Sequence, residues 1–226
     1  MDWLQYLRDY APDFWYGTLT TLKLTGFGLA AGFGLGLAAA LLRVYGGRWL
    51  RWLAVGYIEL FRGTPLLVQL FLIYFGLPDF NITLERMTAA YIALALNSGA
   101  YQAEYLRGAI QAIGSGQMMA ARALGMSRMQ SIRYIILPQA LRLVIPAWSN
   151  EPISLLKASA VAFLISVPDL MTRAKNIAAQ LYDPIGVYFA VAVVYLLIVF
   201  VLTYVVQILE RSMRIPGMEL EAQRNR

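Results

Sequence analysis

From Ile185 to Leu209 the chain carries no charged side chain. A run that long and that apolar crosses a bilayer as a helix, and it sets the terms for everything before it. Four more stretches approach the same length: about Thr18 to Leu42, Trp52 to Leu77, Met87 to Ala112 and Ile135 to Val167. The first is rich in glycine, and Gly32-x-x-x-Gly36 is a small-xxx-small pattern that lets another helix come close. The stretch from Ile135 is too long and too polar for a simple span, and Pro138, Pro146 and Pro152 should kink or break it. Composition agrees: 59% apolar and 14% charged residues are wrong for a soluble fold of 226 residues and right for a helix bundle. The fold class is all-α integral membrane, about five transmembrane helices in a single domain over residues 1–226.

The connections give an orientation. Arg43, Arg48 and Arg51 follow the first span, Arg107, Arg122, Arg128 and Arg133 surround the loop after the third, and Arg211, Arg214, Arg224 and Arg226 follow the fifth. The alternate connections hold only Arg8, Arg86, Arg173 and Lys175, beside several acids. Positive charge stays inside, so the N-terminus is expected outside and the tail, 210–226, in the cytoplasm. Segment 1–17 lacks a basic region followed by an apolar core, so it does not read as a signal peptide. Its Trp3, Tyr6, Tyr10, Phe14, Trp15 and Tyr16 predict a short helix lying at the membrane interface.

Composition also excludes chemistry. The chain has no Cys and no His, which removes disulfides, thiolates, imidazole bases and the usual zinc or haem ligands; no metal site is expected. The net charge of +6 lies between apolar spans, which points to membrane lipid and not to nucleic acid. None of the three lysines, Lys23, Lys157 and Lys175, follows a glycine, so no phosphate-binding G-x-x-x-x-G-K-[ST] loop exists. Nucleotide hydrolysis, if it drives this protein, takes place on another chain.

The loop after the third span, about 114–134, is built like a joint. Ser115 can cap a helix from about Gly116 to Leu124, and Gly125 suits the left-handed residue that ends it. Ser127 and Gln130 form an S-x-x-Q capping box for a second short helix. Ala120, Ala121 and Ala123 keep the knob small enough for another protein to approach its backbone. Ala120-Ala121, Gly125 and Ile135-Ile136-Leu137-Pro138 have the spacing of the Glu-Ala-Ala loop, and Gln139-Ala140-Leu141-Arg142 continues it. On these residues the chain resembles the transmembrane permease subunit of an ABC importer, in the polar amino-acid branch that includes histidine, glutamine and arginine permeases. Tyr57-x-Glu59-x-x-Arg62-Gly63-Thr64-Pro65 resembles the same branch, and the likeness covers about Gly17 to Arg214.

The resemblance implies a type I importer fold in a bacterial inner membrane, crossing it several times. It implies ATPase subunits that hold ATP-Mg, with no cofactor on this chain. A second permease subunit, identical or similar, and a periplasmic or lipid-anchored amino-acid-binding protein complete the set. Met119, Ala120, Ala121, Leu124 and Gly125 would make the ATPase-coupling surface; Met119 stands where the family has Glu, and a methionine can still fill an apolar groove. Segments Asn97 to Tyr101 and Asn150 to Lys157 would line the path. Many relatives carry an acid where this chain has Ala158, which argues against a strongly dibasic substrate.

Ionisable groups inside spans cost about 2.5–3.5 kcal/mol each on insertion scales, so they line a polar cavity or pair up. Asn97, Glu151, Ser154 and Lys157 are accordingly the substrate-binding candidates, with Glu151 for an ammonium and Lys157 or exposed amides for a carboxylate. A Glu151–Lys157 pair that only holds the fourth span together is the plainer alternative. Pro152 interrupts that span beside Glu151 and frees backbone groups. Glu59 and Arg62, three apart, can neutralise each other, and with Gly63, Pro65 and Pro138 they form structural or gating elements. Glu104 and Arg107 read as a structural pair. Asp169 to Tyr182 reads as a short outer helix where a binding protein could dock. Two rival readings are an ion-coupled secondary transporter or channel subunit, which predicts internal repeats that are not seen, and an intramembrane enzyme, which lacks paired catalytic groups.

Overall fold

The computed structural model describes residues 3–213, and these form helices joined by short turns, with no strand among them. The basic tail from 214 on, with Arg214, Arg224 and Arg226, lies outside the described residues, as do residues 1 and 2. A short α1 (Trp3–Asp9) leads into α2 (Ala11–Tyr45), which packs along α5 (Arg86–Ala112) in the most extensive helix–helix contact of the bundle. Glycine makes that contact possible. A β-carbon placed on Gly36 would stand 2.8 Å from the Gly99 carbonyl oxygen and 2.9 Å from the Ala103 nitrogen. Gly32 meets the Gly99 nitrogen at 3.0 Å in the same way. The small-xxx-small pattern of α2 therefore faces a second one on α5, backbone against backbone.

α3 (Arg48–Gly63) returns beside α2 and α5, then breaks. Thr64 and Pro65 are extended, and α4 (Leu66–Phe71), continued by a π turn Leu72–Gly76 and a 3-10 turn Leu77–Phe80, leaves at 107° to α3. The stretch from Trp52 to Leu77, which the sequence reads as one span, is thus broken at Thr64 and Pro65. Its free carbonyls are satisfied by side chains: Gln69 Nε2 donates to Phe61 O at 2.8 Å and Thr64 O at 2.9 Å, and the Thr64 hydroxyl donates to Leu60 O at 2.7 Å.

Beyond α5 come α6 (Ser115–Ala123) and α7 (Arg128–Ser131), then a π turn, Ile132–Ile136. α8 (Leu137–Leu143), α9 (Ile145–Trp148) and α10 (Glu151–Ala158) follow, continued by the 3-10 turn Ser159–Ile165. Pro138, Pro146 and Pro152 each sit in the first turn of one of these pieces, where the missing N–H costs nothing. The joining residues Val144, Ser149 and Asn150 stay right-handed, so the rod is kinked without reversing. After a 52° bend, α11 (Leu170–Leu181) packs on α2 and on α12 (Pro184–Met213). Ala11–Tyr45 and Pro184–Ser212 are each long and apolar enough to cross a membrane, and the two bent pairs reach that standard together. α5, at 27 residues, has the length, about 40 Å, but turns a polar face into the bundle.

The short N-terminal helix forms, and its aromatics divide between the bundle and the surface. Tyr6 and Phe14 are buried with Leu170, Ala174, Val187 and Val191, while Trp15 and Tyr16 remain exposed. The Tyr6 hydroxyl donates to Asp183 Oδ2 at 2.6 Å, clasping α1 to the start of α12. That bond, and the Gly186 N–H, hold the Asp183 carboxyl below the ordinary carboxylate range. A depressed folded pKa means stability that is present above the ordinary value of 3.8 and lost as pH falls through the folded one. Tyr6→Phe is expected to speed amide exchange in residues 3–9 at neutral pH and to remove most of the further loosening that the wild type shows on acidification. Equal exchange in both proteins across that range would refute the clasp.

Candidate functional site

The break between α3 and α4 leaves a cavity of about 390 Å³ against α5 and α10. Thr64, Pro65, Leu66, Asn97, Tyr101, Tyr105, Glu151, Ser154, Leu155 and Ala158 line it, a size and mixture usual for small-molecule sites. Helix geometry explains the lining. Asn97, Tyr101 and Tyr105 recur every four residues on one face of α5, and Glu151, Ser154, Leu155 and Ala158 are i, i+3, i+4 and i+7 on α10.

Glu151 is the only carboxylate among the lining residues, and no lysine or arginine joins it there. It sits in the first turn of α10, where negative charge is favoured. Its orientation is fixed from behind. Ser98 donates to Glu151 Oε1 at 2.6 Å, Gln102 Nε2 donates to Ser98 Oγ at 2.9 Å, and Trp148 Nε1 donates to Gln102 Oε1 at 2.8 Å. Gln102 also bonds Leu29 O at 3.2 Å, tying the relay to α2. Ser98 and Gln102 are fully buried. Such a chain commits one carboxylate oxygen from behind, Tyr105 interacts with the group from the cavity lining, and the carboxylate there is a partner for a cationic group.

Of the four ligand candidates, three line this cavity and Lys157 does not. Six residues turn Lys157 about 120° round the helix from Glu151. It lies instead in a groove with Ala160, Ala192, Tyr195 and Leu196, so neither the Glu151–Lys157 pair nor a Lys157 contact with cavity contents forms. Asn97 lines the cavity, but its amide is already engaged: Nδ2 donates to Phe61 O at 3.2 Å and to Gln69 Oε1 at 3.0 Å, stapling the α3–α4 break to α5. Glu59 and Arg62 do not pair either; Glu59 is exposed, and the Arg62 guanidinium lies 5.4 Å from the centroid of the Tyr101 ring. Thr64 and Pro65 line the cavity itself, although Pro65 reads from the sequence as a structural or gating element. Glu104 does pair with Arg107, at 2.8 Å, and also with Arg43, locking α2 to α5.

Sequence reasoning missed Tyr105, Gln102, Trp148 and Gln69, and gave Ser98 no role of its own within the Asn97 to Tyr101 segment. Tyr105 was within reach, one turn past Tyr101 on the Asn97 face. The relay was not, because Trp148 and Gln102 meet only through the folding of α9 against α5.

The knob forms, with a correction at its start: Gly114 is the N-cap of α6 and no side chain caps it, so Ser115 is its first helical residue and not its cap. Gly125 is left-handed, with φ 83°, and two bonds close the α6 end: Gly125 N to Arg122 O at 3.0 Å and Met126 N to Ala121 O at 3.1 Å. Both halves of the Ser127–Gln130 capping box are present. Met119, Leu124 and Met129 are 65%, 84% and 70% exposed, so the knob presents an apolar surface among its arginines. Ala121 differs from expectation: it is buried, so it is not part of the outward surface.

Comparison with known proteins places these features. A family model described as binding-protein-dependent transport system inner membrane component matches residues 32–215. The glutamine transport system permease protein GlnP of Escherichia coli is 41% identical over 201 residues, which are 88% of this chain and 92% of GlnP. The L-cystine transport system permease protein TcyB of Bacillus subtilis is 39% identical over 212 residues, 93% of this chain and 91% of TcyB. A solved structure described as an amino acid ABC transporter with histidines superposes with a TM-score of 0.85 at 40% identity, covering 94% of this chain and 99% of that one.

Proposed function

The chain belongs to the family of binding-protein-dependent transport system inner membrane components, and on that premise we propose that it passes a polar amino acid through the Glu151 cavity. Glu151, held by Ser98, takes the ammonium of the solute. Tyr101, Tyr105 and Ser154 offer polar contacts to the rest, and Ala158 adds no second acid for a dibasic side chain. The single observation that carries this reading is a buried, oriented carboxylate in a cavity whose lining holds no cation. The names of the relatives, which concern glutamine and cystine, support the substrate class.

In this reading the knob faces the cytoplasm and enters a groove on an ATPase subunit that holds ATP-Mg. Closure of the ATPase pair then rocks the spans between outward and inward access. A second permease subunit supplies the other half of the pathway, and a binding protein delivers the solute at the opposite end. Glu151→Gln is expected to lower uptake by about tenfold or more, because a charge-assisted contact is lost, with ATPase subunits still co-purifying. The overall test is uptake of labelled polar amino acids into proteoliposomes holding the chain with its ATPase and binding protein. Uptake that requires ATP supports the reading; uptake driven by an ion gradient without ATP would replace it with a secondary transporter.

A further inference from the structure

The cavity has an anionic end, and the structure places one cation at its rim. Arg62 lies two residues before Thr64, the first residue of the lining, at the end of α3 where the helix stops. Its guanidinium stands over the ring of Tyr101, itself a lining residue, at 5.4 Å. No ion pair engages Arg62 among the described residues, since Glu104, the nearest acid in charge terms, is already shared by Arg43 and Arg107. Arg62 is exposed on the single chain and has no carboxylate within ion-pair distance among the described residues, so its guanidinium is available to a charged group that enters the break.

We propose that Arg62 receives the carboxylate end of the transported amino acid, while Glu151 receives its ammonium end. This rests on the amino-acid reading above and sharpens it: the site reads a zwitterion and discriminates against amines and amides. The parts suit the task. A guanidinium presents a planar fork that matches a carboxylate with two parallel N–H bonds, and leaving the Tyr101 face gives up only a weak contact. Tyr101 and Glu151 line one cavity, and Arg62 stands over the Tyr101 ring, so a ligand held by Glu151 beside that ring comes near the guanidinium. The break at Thr64 leaves no helical turn beyond Arg62 to block its swing toward the cavity.

The test measures ligand binding to the chain in nanodiscs, assembled with its ATPase subunits and without a binding protein. Saturation-transfer NMR would compare L-glutamine, L-asparagine and L-histidine with their α-carboxamides. Wild type is expected to favour the free acid over its amide by about tenfold or more, because a site built for a hydrogen-bonded group rejects the analogue lacking it. Arg62→Gln should bind acid and amide alike, with the amide affinity unchanged from wild type, and Arg62→Lys should keep part of the preference. An Arg62→Gln protein that retains the full preference overturns the proposal. One that loses the amide as well assigns Arg62 to the architecture of the cavity, which also overturns it. Wild type that binds none of the acids defeats the amino-acid reading itself.

Discussion

Leu124→Asp is expected to strip the ATPase from the complex while leaving the chain folded. Leu124 is the last residue before the left-handed Gly125 and is the most exposed apolar side chain of the knob. A carboxylate there meets water in the free chain, so the bundle loses nothing. Seated in a groove of a partner, the same carboxylate would be desolvated without a counter-charge. An interface centre tolerates such a change poorly, and about 2 kcal/mol or more should be lost, roughly a 30-fold weaker association. Co-purification of the ATPase from detergent extracts reads this directly, with the melting profile of the chain as control. Retained ATPase with wild-type stoichiometry would show that the knob is not the joint. Ala121→Asp, although Ala121 belongs to the expected coupling surface, is the wrong variant: it puts a charge at a buried position and disturbs the knob itself.

Gly36→Leu is expected to damage the fold itself. The leucine β-carbon would begin 2.8 Å from the Gly99 carbonyl oxygen and 2.9 Å from the Ala103 nitrogen, and neither is a side chain that can turn away. The α2–α5 seam must open, and the Arg43–Glu104 pair and the Gln102–Leu29 bond span the same seam. Overpacking of this kind costs about 3 kcal/mol. For a chain of this size that corresponds to a melting point lower by roughly 6–12 °C. Gly34→Leu is the matched control, because nothing lies within 4 Å of a β-carbon there. Equal melting of the two variants would contradict the seam.

Much of the fold was legible because its causes are local. The apolar runs, the prolines at 138, 146 and 152, the Ser127–Gln130 box and the left-handed Gly125 each need only a few neighbouring residues to be read, and each appears where expected. Of the candidate residues, Asn97, Glu151 and Ser154 share one cavity, while the contacts around them were not readable from spacing. Lys157 entered the candidate set on its charge, although its turn of about 120° from Glu151 was already contained in the helical period. Other errors depended on contacts between distant segments. Asn97 reads as a free amide until Phe61 and Gln69 are seen to occupy it, 36 and 28 residues away. The Tyr6 clasp was not readable either, because Asp183, which accepts its hydrogen bond, lies 177 residues later.

The absence of cysteine from the whole chain makes the central claim directly measurable. Ser154→Cys places a single thiol in the cavity, on the face it shares with Glu151 and Ala158. The rate at which a small water-soluble thiol reagent labels it, in proteoliposomes holding the complete complex, reports both occupancy and access. The transported amino acid is predicted to slow labelling, and ATP with loaded binding protein is predicted to change the rate again as the cavity alternates. A rate indifferent to every polar amino acid and to ATP, with uptake intact, would show that the solute passes elsewhere.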